Sequence, residues 1–394
     1  MKRRVKVGII GCGTISDVYA RDLKQKYTML DLVACADMFP EKAQALARKY
    51  GIAKACSVEE LLADPEVEIV INLTIPAAHT EINLAALNAG KHVFSEKPFA
   101  TNLEDARKTI ELAESKGLMV GCSPDTFLGA GIQTSKKLLD EGWIGQPIAA
   151  TANVTNHGHE MWHPNPAFNY MPGGGPMLDL GPYYITALVV LLGPIDRITC
   201  VAKKTFPERT ILGPVNRDKG SIPVEVNTHY TGIVEFKNGA VVSINISNDI
   251  WYSNLPCLEI YGTEGTMMVP DPNMYGGPVK IIRGDNMVDS IEGLDMMGAL
   301  MTINSREKMS EFVKEIPLAY HNVDHYYRGL GVLDMAYALL NGRPHRTKGD
   351  LVFHVTEALL AFDEAAKEGK PYKMTSTCEV PPSLPVGLPF GVMD

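Results

Sequence analysis

The chain has 394 residues, of which 45% are hydrophobic and 21% charged, and its formal net charge at pH 7 is −9. This length predicts two domains, with three as the alternative, and the composition is typical of a soluble globular protein. The negative charge argues against a nucleic-acid-binding protein, which needs clustered lysines and arginines, and no apolar run is long enough to span a bilayer.

Strands and helices alternate from residue 5 to about residue 122. The strand-like runs are VKVGII, LVACAD, EIVINLT, KHVFSEKP and LMVGCS, and the segments between them have helical character. Such alternation predicts βαβ units and a parallel sheet with helices on both faces.

The pattern changes after Asp125. Residues 127–145 are predicted as one helix, and the GGGP of residues 173–176 leads into another that ends at Gly193. Runs of β character follow, and FKNGAV predicts a hairpin turn. Residues 270–305 are expected to be irregular, and helices are predicted near 322–341 and 349–369. The proline-rich segment 381–394 fits an ordered arm or a flexible end equally well.

The stretch GCGTIS, which begins at Gly11, lies directly between a strand and a helix. Gly11 permits a tight turn, and Gly13 lets the backbone approach a pyrophosphate at the helix N-terminus. Ser16 takes the third, small position of the pattern. Asp37, at the end of the second strand, is placed to bind the adenosine ribose and to repel a 2′-phosphate. We therefore predict NAD rather than NADP; the alternative is a glycine turn with a surface aspartate.

Two further segments carry candidate chemistry. Glu96-Lys97-Pro98 follows a strand of the parallel sheet, at the edge where ligands of such sheets bind. Asp179, Tyr183 and Thr186 have i, i+4, i+7 spacing and share one face of an otherwise apolar helix. The structural alternatives are that Lys97 is a solvated turn residue, that Asp179 interacts favourably with the helix dipole, and that Tyr183 packs in the core.

The segment NHGHEMWHPNP (156–166) contains His157, His159 and His163. A metal site is one interpretation, but no carboxylate or cysteine set completes it, so we predict no metal. We expect instead that the loop lines a substrate pocket, with Trp162 stacked on a sugar ring and His157 as a hydrogen-bonding group. The alternative is a loop that packs only on its own domain.

Together, these motifs resemble the Gfo/Idh/MocA oxidoreductase family over about residues 3–370. The resemblance rests on Gly11-Cys12-Gly13, Asp37, the segment 78–92, Glu96-Lys97-Pro98 and the GGG…D…G helix. It implies an N-terminal Rossmann domain and a C-terminal domain with an open sheet that often forms a subunit interface.

Tyr183 stands where many members of this family have histidine, and Thr186 replaces a second aspartate. The tyrosine-type site resembles that of glucose–fructose oxidoreductase and the dihydrodiol dehydrogenases. SPDTF (123–127) also differs from the arginine-rich start of some members, so Asp125 is expected to face the substrate or the nicotinamide.

We accordingly predict an α/β fold with three parts: a Rossmann NAD-binding domain (1–124), an α+β substrate and oligomerisation domain with a mostly antiparallel sheet (125–380), and a tail (381–394). Lys97 and Tyr183 are the expected catalytic residues, with Lys97 lowering the pKa of Tyr183. The expected substrate-binding residues are Asp179, Asp125, His157, Trp162 and Thr186. The expected cofactor-binding residues are Gly11, Gly13, Thr14, Ile15, Asp37, Thr74, Pro76, His79, Glu96 and Lys97.

The predicted function is an NAD-dependent dehydrogenase of a secondary hydroxyl in a sugar, cyclitol or glycoside. The alternatives are a glycosidase that uses NAD⁺ transiently and a non-catalytic dinucleotide-binding regulator. The expected partners are a polyhydroxy substrate and further copies of the chain, in a dimer or tetramer formed through the C-terminal sheet, with no nucleic acid and no membrane. Dispersed cysteines without CxxC spacing and an N-terminus without a secretory signal predict a cytoplasmic location.

Overall fold

A computed structural model describes residues 3–214 and 217–394. The strands are β1 Val5–Ile10, β2 Leu30–Ala36, β3 Lys54–Cys56, β4 Ile69–Asn72, β5 His92–Ser95, β6 Val120–Cys122, β7 Pro147–Thr155, β8 Ile195–Lys203, β9 Glu208–Thr210, β10 Ser221–Pro223, β11 His229–Phe236, β12 Val241–Ser247, β13 Leu258–Gly262, β14 Gly265–Val269, β15 Val279–Arg283, β16 Lys314–Ile316 and β17 Tyr372–Lys373.

The α-helices are α1 Thr14–Gln25, α2 Pro40–Tyr50, α3 Val58–Ala63, α4 Pro76–Asn88, α5 Leu103–Ser115, α6 Ala130–Asp140, α7 Pro176–Asp179, α8 Gly181–Leu192, α9 Gly284–Asp289, α10 Met296–Ile303, α11 Arg306–Ser310, α12 Leu330–Asn341 and α13 Gly349–Glu368. Short 3₁₀ turns lie at Thr126–Leu128, His159–Met161, Pro166–Tyr170, Arg217–Lys219 and His321–Val323.

The first six strands form one parallel sheet, called the front sheet below, in the order β3-β2-β1-β4-β5-β6. This is the doubly wound order of a dinucleotide-binding fold. The strand order reverses between β1 and β4, so the carboxyl ends of these neighbouring strands open a crevice there. The predicted Rossmann architecture is confirmed.

The other large sheet, called the rear sheet, has the order β16-β15-β14-β13-β7-β12-β11-β8-β17. Its pairs are antiparallel except for β7 with β12, as predicted for a mostly antiparallel sheet. The Asn238-Gly239 turn joins β11 to β12, and Asn238 Oδ1 accepts a hydrogen bond from the Ala240 N–H. The hairpin prediction is confirmed.

Several sequence predictions need correction. The helix expected over 127–145 is a 3₁₀ turn followed by α6, because the backbone at Gly129 is extended. The helix that carries Asp179 and Tyr183 is divided at Leu180 into α7 and α8. The segment 270–305, expected to be irregular, contains β15, α9 and α10, and the helix expected over 322–341 begins at Leu330.

Residues after 380 pack against other parts of the chain as an ordered arm. The Leu384 N–H donates to Gln133 Oε1, and the Phe390 ring stacks on Tyr27, which lies just after α1. Met393 is buried. These contacts favour the ordered alternative for the tail, and they bring it to the same side of the molecule as the front sheet.

Candidate active site

The loop between β1 and α1 has the geometry of a pyrophosphate cradle. Gly11 has φ +98°, and a Cβ there would lie 2.6 Å from the backbone carbonyl of Leu73, so only glycine fits. Gly13 precedes α1 without any side-chain cap, and a Cβ there would meet nothing within 4 Å. The first N–H groups of α1, at Thr14 and Ile15, are therefore open to an anion, which fits the diphosphate of NAD.

Asp37 lies just beyond β2, beside this loop. Its Oδ2 accepts a hydrogen bond of 2.7 Å from the Cys12 N–H, and its Oδ1 accepts one of 2.9 Å from the Phe39 N–H. These bonds hold a carboxylate at the crevice edge, where it fits ribose hydroxyls and disfavours a 2′-phosphate.

Thr74, Pro76 and His79 lie on the other side of the crevice, after β4. Pro76 is the first residue of α4. His79 is buried, and its two ring nitrogens lie 2.7 Å from the Pro98 carbonyl oxygen and 3.1 Å from that of Thr74. His79 thus joins two loops of the crevice through its ring nitrogens, and its contact with the cofactor stays a prediction.

Glu96 also has a supporting position. Its Oε1 accepts a hydrogen bond from the Tyr19 hydroxyl, and its Oε2 accepts one from the Lys97 N–H. The carboxylate is buried and points back toward α1 and its own turn. It therefore fixes the turn that carries Lys97, whose peptide bond to Pro98 is cis.

Lys97 forms a buried ion pair with Asp179 across the interface between the two sheets. Its Nζ donates to Asp179 Oδ1 at 2.5 Å and to the Asp179 carbonyl oxygen at 2.8 Å. Both side chains are 17% exposed. Burial alone would raise the pKa of Asp179, but the Lys97 charge and a His159 hydrogen bond outweigh it, so this pKa lies well below its usual range. Burial opposes the charge of Lys97, yet Asp179 raises the pKa of Lys97 above its usual range.

Tyr183 is buried on α8, and Lys97 Nζ lies 5.5 Å from the centre of its ring. Burial raises the pKa of the Tyr183 phenol above its ordinary value, and the charges of Lys97 and Arg328 offset this only in part. Lys97 thus acts in the expected direction, but desolvation of the phenol is the larger effect and sets the overall direction of the pKa.

The histidine beside the ion pair is His159, two residues after the one predicted. His159 Nε2 lies 3.2 Å from Asp179 Oδ2. The His157 ring instead stacks on Trp251 at 3.3 Å between ring centres. Trp162 is 61% exposed and lies 5.1 Å from the His159 ring, so it remains available at the mouth of the site.

A buried network supports the turn that carries His159. The Arg209 guanidinium forms ion pairs with Glu160 and Asp249, and Glu160 also accepts a hydrogen bond from the Tyr170 hydroxyl. Glu160 follows His159 directly in the chain. An unpaired buried charge is costly, so these ion pairs hold together and fix the position of the 159–161 turn.

Two predicted substrate residues do not join this group. Asp125 is fully buried; its Oδ1 accepts from the Tyr275 hydroxyl at 2.8 Å and its Oδ2 from the Gly331 N–H at 2.9 Å. The expectation that Asp125 faces the substrate is therefore corrected. Thr186 is buried and lines a recess behind Lys97, with the apolar side chains of α13 as its far wall.

One residue of the site escaped the sequence analysis. The Arg328 guanidinium, only 6% exposed, lies 3.4 Å from the Tyr183 hydroxyl through its Nη2. Arg328 sits in an irregular segment just before α12, and no motif marked it.

The described residues contain no group of three or more histidine, cysteine or carboxylate side chains arranged for a metal ion. Within the same ranges, no helix has both the length and the apolar character that a bilayer crossing requires.

Both halves of the chain match models of known protein families. Residues 5–123 match the model of an oxidoreductase family with an NAD-binding Rossmann fold, GFO_IDH_MocA, and residues 132–268 match the GFO/IDH/MocA C-terminal domain. The chain belongs to the Gfo/Idh/MocA oxidoreductase family. The predictions of family, of an NAD-dependent oxidoreductase and of NAD as the cofactor are confirmed.

Relatives within the Gfo/Idh/MocA family include characterised enzymes. An inositol 2-dehydrogenase/D-chiro-inositol 3-dehydrogenase of Lacticaseibacillus casei is 30% identical over 281 residues, 70% of this chain and 74% of the relative. A 1,5-anhydro-D-fructose reductase of Ensifer adhaerens is 29% identical over 267 residues, 66% and 74% of the two chains. A levoglucosan dehydrogenase structure in complex with NADH superposes with a TM-score of 0.75 at 19% identity, covering 95% of this chain and 100% of the other.

Proposed function

We propose that this chain is an NAD-dependent dehydrogenase of a secondary hydroxyl in a sugar, a cyclitol or a glycoside, with Tyr183 as the acid/base and Lys97 as its cationic neighbour. One observation carries the proposal. Lys97 follows the front sheet and Tyr183 belongs to α8 on the rear side, yet Lys97 Nζ is 5.5 Å from the Tyr183 ring centre. Two remote segments thus bring an ammonium and a phenol to one cleft.

The electrostatics of the cleft suit proton transfer to and from an alcohol. NAD⁺, when bound, supplies the nicotinamide carbon that accepts a hydride from the substrate. The protein has to take the hydroxyl proton and to stabilise the negative charge that develops on the oxygen. Tyr183 is the group for the first task. Lys97, which Asp179 keeps protonated, is the group for the second.

Asp179 keeps Lys97 charged, a role expected for it together with binding a substrate hydroxyl. Lys97 holds one carboxylate oxygen and His159 contacts the other. The Asp179 carboxylate can accept further hydrogen bonds, but its main role is to hold the side chains of Lys97 and His159 in position. Polyhydroxy substrates fit the remaining wall, where His159 offers a polar edge and Trp162 an exposed aromatic face. The inositol and anhydrofructose enzymes among the relatives support this substrate class.

The test starts with a panel of sugars, cyclitols and glycosides incubated with NAD⁺, followed by the absorbance of reduced cofactor and by product mass. A dehydrogenase accumulates NADH, whereas a glycosidase that returns its hydride releases aglycone without net NADH. With the best substrate, Tyr183→Phe should lower kcat by about 10²- to 10⁴-fold. NADH binding, measured by fluorescence, should stay unchanged.

Tyr184→Phe is the matched control. Tyr184 is the next residue of α8, and its hydroxyl donates to Asp271 at 3.1 Å, away from Lys97. Its loss should leave kcat within about threefold, because this hydroxyl bonds to Asp271 and to no residue of the proposed catalytic group; the cost should fall on stability, at about 1.5–3 kcal/mol for a bond to a carboxylate. Full turnover by Tyr183→Phe would remove Tyr183 from the mechanism.

The proposal extends to assembly through the outer face of the rear sheet. Val201 of β8 and Ile233 of β11 are exposed there on adjacent strands. Exposed β-branched residues on an open sheet suit contact with a second copy of the chain.

A further inference from the structure

Arg328 is a buried cation whose hydrogen-bonding groups are only partly used. Nη2 donates to the Tyr326 hydroxyl at 2.9 Å and to the Tyr183 hydroxyl at 3.4 Å. The buried Nε and Nη1 have no hydrogen-bond partner. Within residues 3–214 and 217–394, Arg328 forms no ion pair with a carboxylate. The charges of Glu96 and Asp125 act on Arg328 without forming such a pair. A buried guanidinium with two unbonded donor nitrogens is costly, so it calls for a reason.

The segment that carries Arg328 is tied to the front side of the molecule. The Arg328 N–H donates at 2.9 Å to Oδ2 of Asp22, a fully buried residue of α1. The next residue, Gly329, has φ +98° and leads the chain into α12. Asp22 and this turn hold the guanidinium against Tyr183 on the rear side.

The donor chemistry of this contact orients the phenol. A guanidinium only donates, so Arg328 occupies a lone pair of the Tyr183 oxygen and leaves the phenolic hydrogen for another acceptor. In the described part of the chain, the Tyr183 hydroxyl has no protein acceptor. The hydrogen is therefore free for a ligand, and the oxygen already has a cation beside it when that hydrogen leaves.

We infer that Arg328 is a positioning residue of the reaction: it orients the Tyr183 hydroxyl toward the substrate and stabilises its ionised form, which gives the buried guanidinium a hydrogen-bonded anion. The inference rests on the proposed role of Tyr183. In alcohol oxidation, Tyr183 Oη receives the substrate hydroxyl proton, and the Tyr183 phenolate becomes the neutral phenol.

Other charges around the phenol do not replace Arg328. Glu96 is engaged by Tyr19 and by its own turn, and Lys97 stays charged but donates both of its described hydrogen bonds to Asp179, not to the Tyr183 oxygen. Burial raises the pKa of Tyr183, while Lys97 and Arg328 lower it and Glu96 raises it. The charged groups that face Tyr183 or its neighbouring ion pair are Lys97 and Glu96 from the front turn, Arg328 from the segment before α12, Asp179 from α7 and His159 from the 159–161 turn. Arg328 also interacts with the Asp125 carboxylate and with the phenols of Tyr19 and Tyr275.

The first experiment is the pH profile of kcat for Arg328→Gln, Arg328→Lys and the wild type, with the substrate found in the panel. The rising limb, which reports loss of the Tyr183 proton, should move to higher pH by at least about one unit in Arg328→Gln, so that kcat below this limb falls at least tenfold. Arg328→Lys should recover part of the loss. Arg343→Gln, at an arginine just after α12 that is paired with Asp334, should leave the limb in place.

A substrate-free readout accompanies the kinetics. Tyr183→3-fluorotyrosine lowers the pKa of the phenol and gives a ¹⁹F signal that reports its ionisation. The titration midpoint should be higher when Arg328→Gln is added. Thermal unfolding of each variant shows whether it folds. If Arg328→Gln has a fold defect, the titration midpoint of Arg328→Lys is compared with that of the wild-type arginine instead.

A double-mutant cycle separates this inference from the proposed function. If Arg328 acts through Tyr183, then Arg328→Gln should change kcat less than twofold in a Tyr183→Phe background. Two results would overturn the inference while Tyr183 keeps its role. In the first, Arg328→Gln leaves the rising limb of the kcat profile and the ¹⁹F titration midpoint unchanged. In the second, its decrease in kcat adds fully to that of Tyr183→Phe. Full turnover by Tyr183→Phe alone would overturn the proposed function itself.

Discussion

Substitution Asp179→Asn should destabilise the protein because it leaves Lys97 charged and buried without its partner. The two side chains are 17% exposed and 2.5 Å apart. Removal of one partner from a buried pair costs about 3–5 kcal/mol, and the residual solvent contact favours the lower end, about 3 kcal/mol. The double variant Lys97→Met/Asp179→Asn should recover most of this loss, since it removes both charges.

Chemical denaturation at pH 7 measures these differences. The control is Glu104→Gln, which breaks an exposed pair with Lys108 on α5 and should change the free energy of unfolding by less than about 0.5 kcal/mol. A loss below about 1 kcal/mol in Asp179→Asn, or a double variant no more stable than the single one, would refute the reasoning.

The same comparison has a defined pH dependence. The pKa of Asp179 is lower in the folded protein than its unfolded value of about 3.9, so its stabilisation is fully present above that value and is lost as pH falls through the folded pKa. The gap in unfolding free energy between wild type and Asp179→Asn should be constant from pH 7 to about pH 5 and should shrink below about pH 4. A gap that widens on acidification would contradict the sign of this coupling.

Three further expectations test other parts of the site. Asp37→Asn keeps a hydrogen-bond acceptor for the backbone of the β1–α1 loop but loses the negative charge. The affinity for NADH should therefore fall about tenfold, and the ratio of NADH affinity to NADPH affinity should decrease, as measured by fluorescence titration. His159→Phe removes the group beside Asp179 and should lower kcat about tenfold, with His159→Gln intermediate; equal rates for the two variants would exclude a hydrogen-bonding role. Val201→Glu with Ile233→Glu should dissociate any oligomer in light scattering without change in the melting temperature, and an unchanged mass would place the interface elsewhere.

Much of this architecture could be predicted because the motifs lie at strand ends. Parallel strands bring their carboxyl ends to one edge, so Gly11, Asp37 and Lys97 had to lie along one crevice. Spacing predicted that Asp179 and Tyr183 share one helix face, although Leu180 divides their helix, and the family resemblance placed that face beside Lys97. The fold needed only periodicity and turn residues.

The remaining features depend on three-dimensional context that spacing does not carry. Arg328 is 145 residues from Tyr183 and lies in a segment without periodic pattern. His157 and His159 could not be ranked, because Gly158, at φ +95°, turns the backbone between them. The carboxylate of Asp125 was expected to face the substrate or the nicotinamide, yet it accepts hydrogen bonds from Tyr275 and Gly331, which are distant in the sequence. Nor does sequence show how deeply Tyr183 is buried, which decides the direction of its pKa.

Helix α13 spans both halves of the molecule. Near its start, Gly349 packs against Ile110 of α5, and a Cβ added at Gly349 would lie 3.0 Å from the Ile110 side chain. More than three turns later, Phe362 packs against Gly232 of β11, and a Cβ added at Gly232 would lie 3.0 Å from the Phe362 ring. A continuous helix of 20 residues does not bend easily, so it acts as a strut between the two sheets. The cleft therefore has little freedom to hinge, and its lysine and aspartate meet before any ligand arrives. A chimera that joins this substrate-binding half to another nucleotide-binding half must also reproduce the contact between α13 and α5. Otherwise the distances between Lys97, Asp179 and Tyr183 will change.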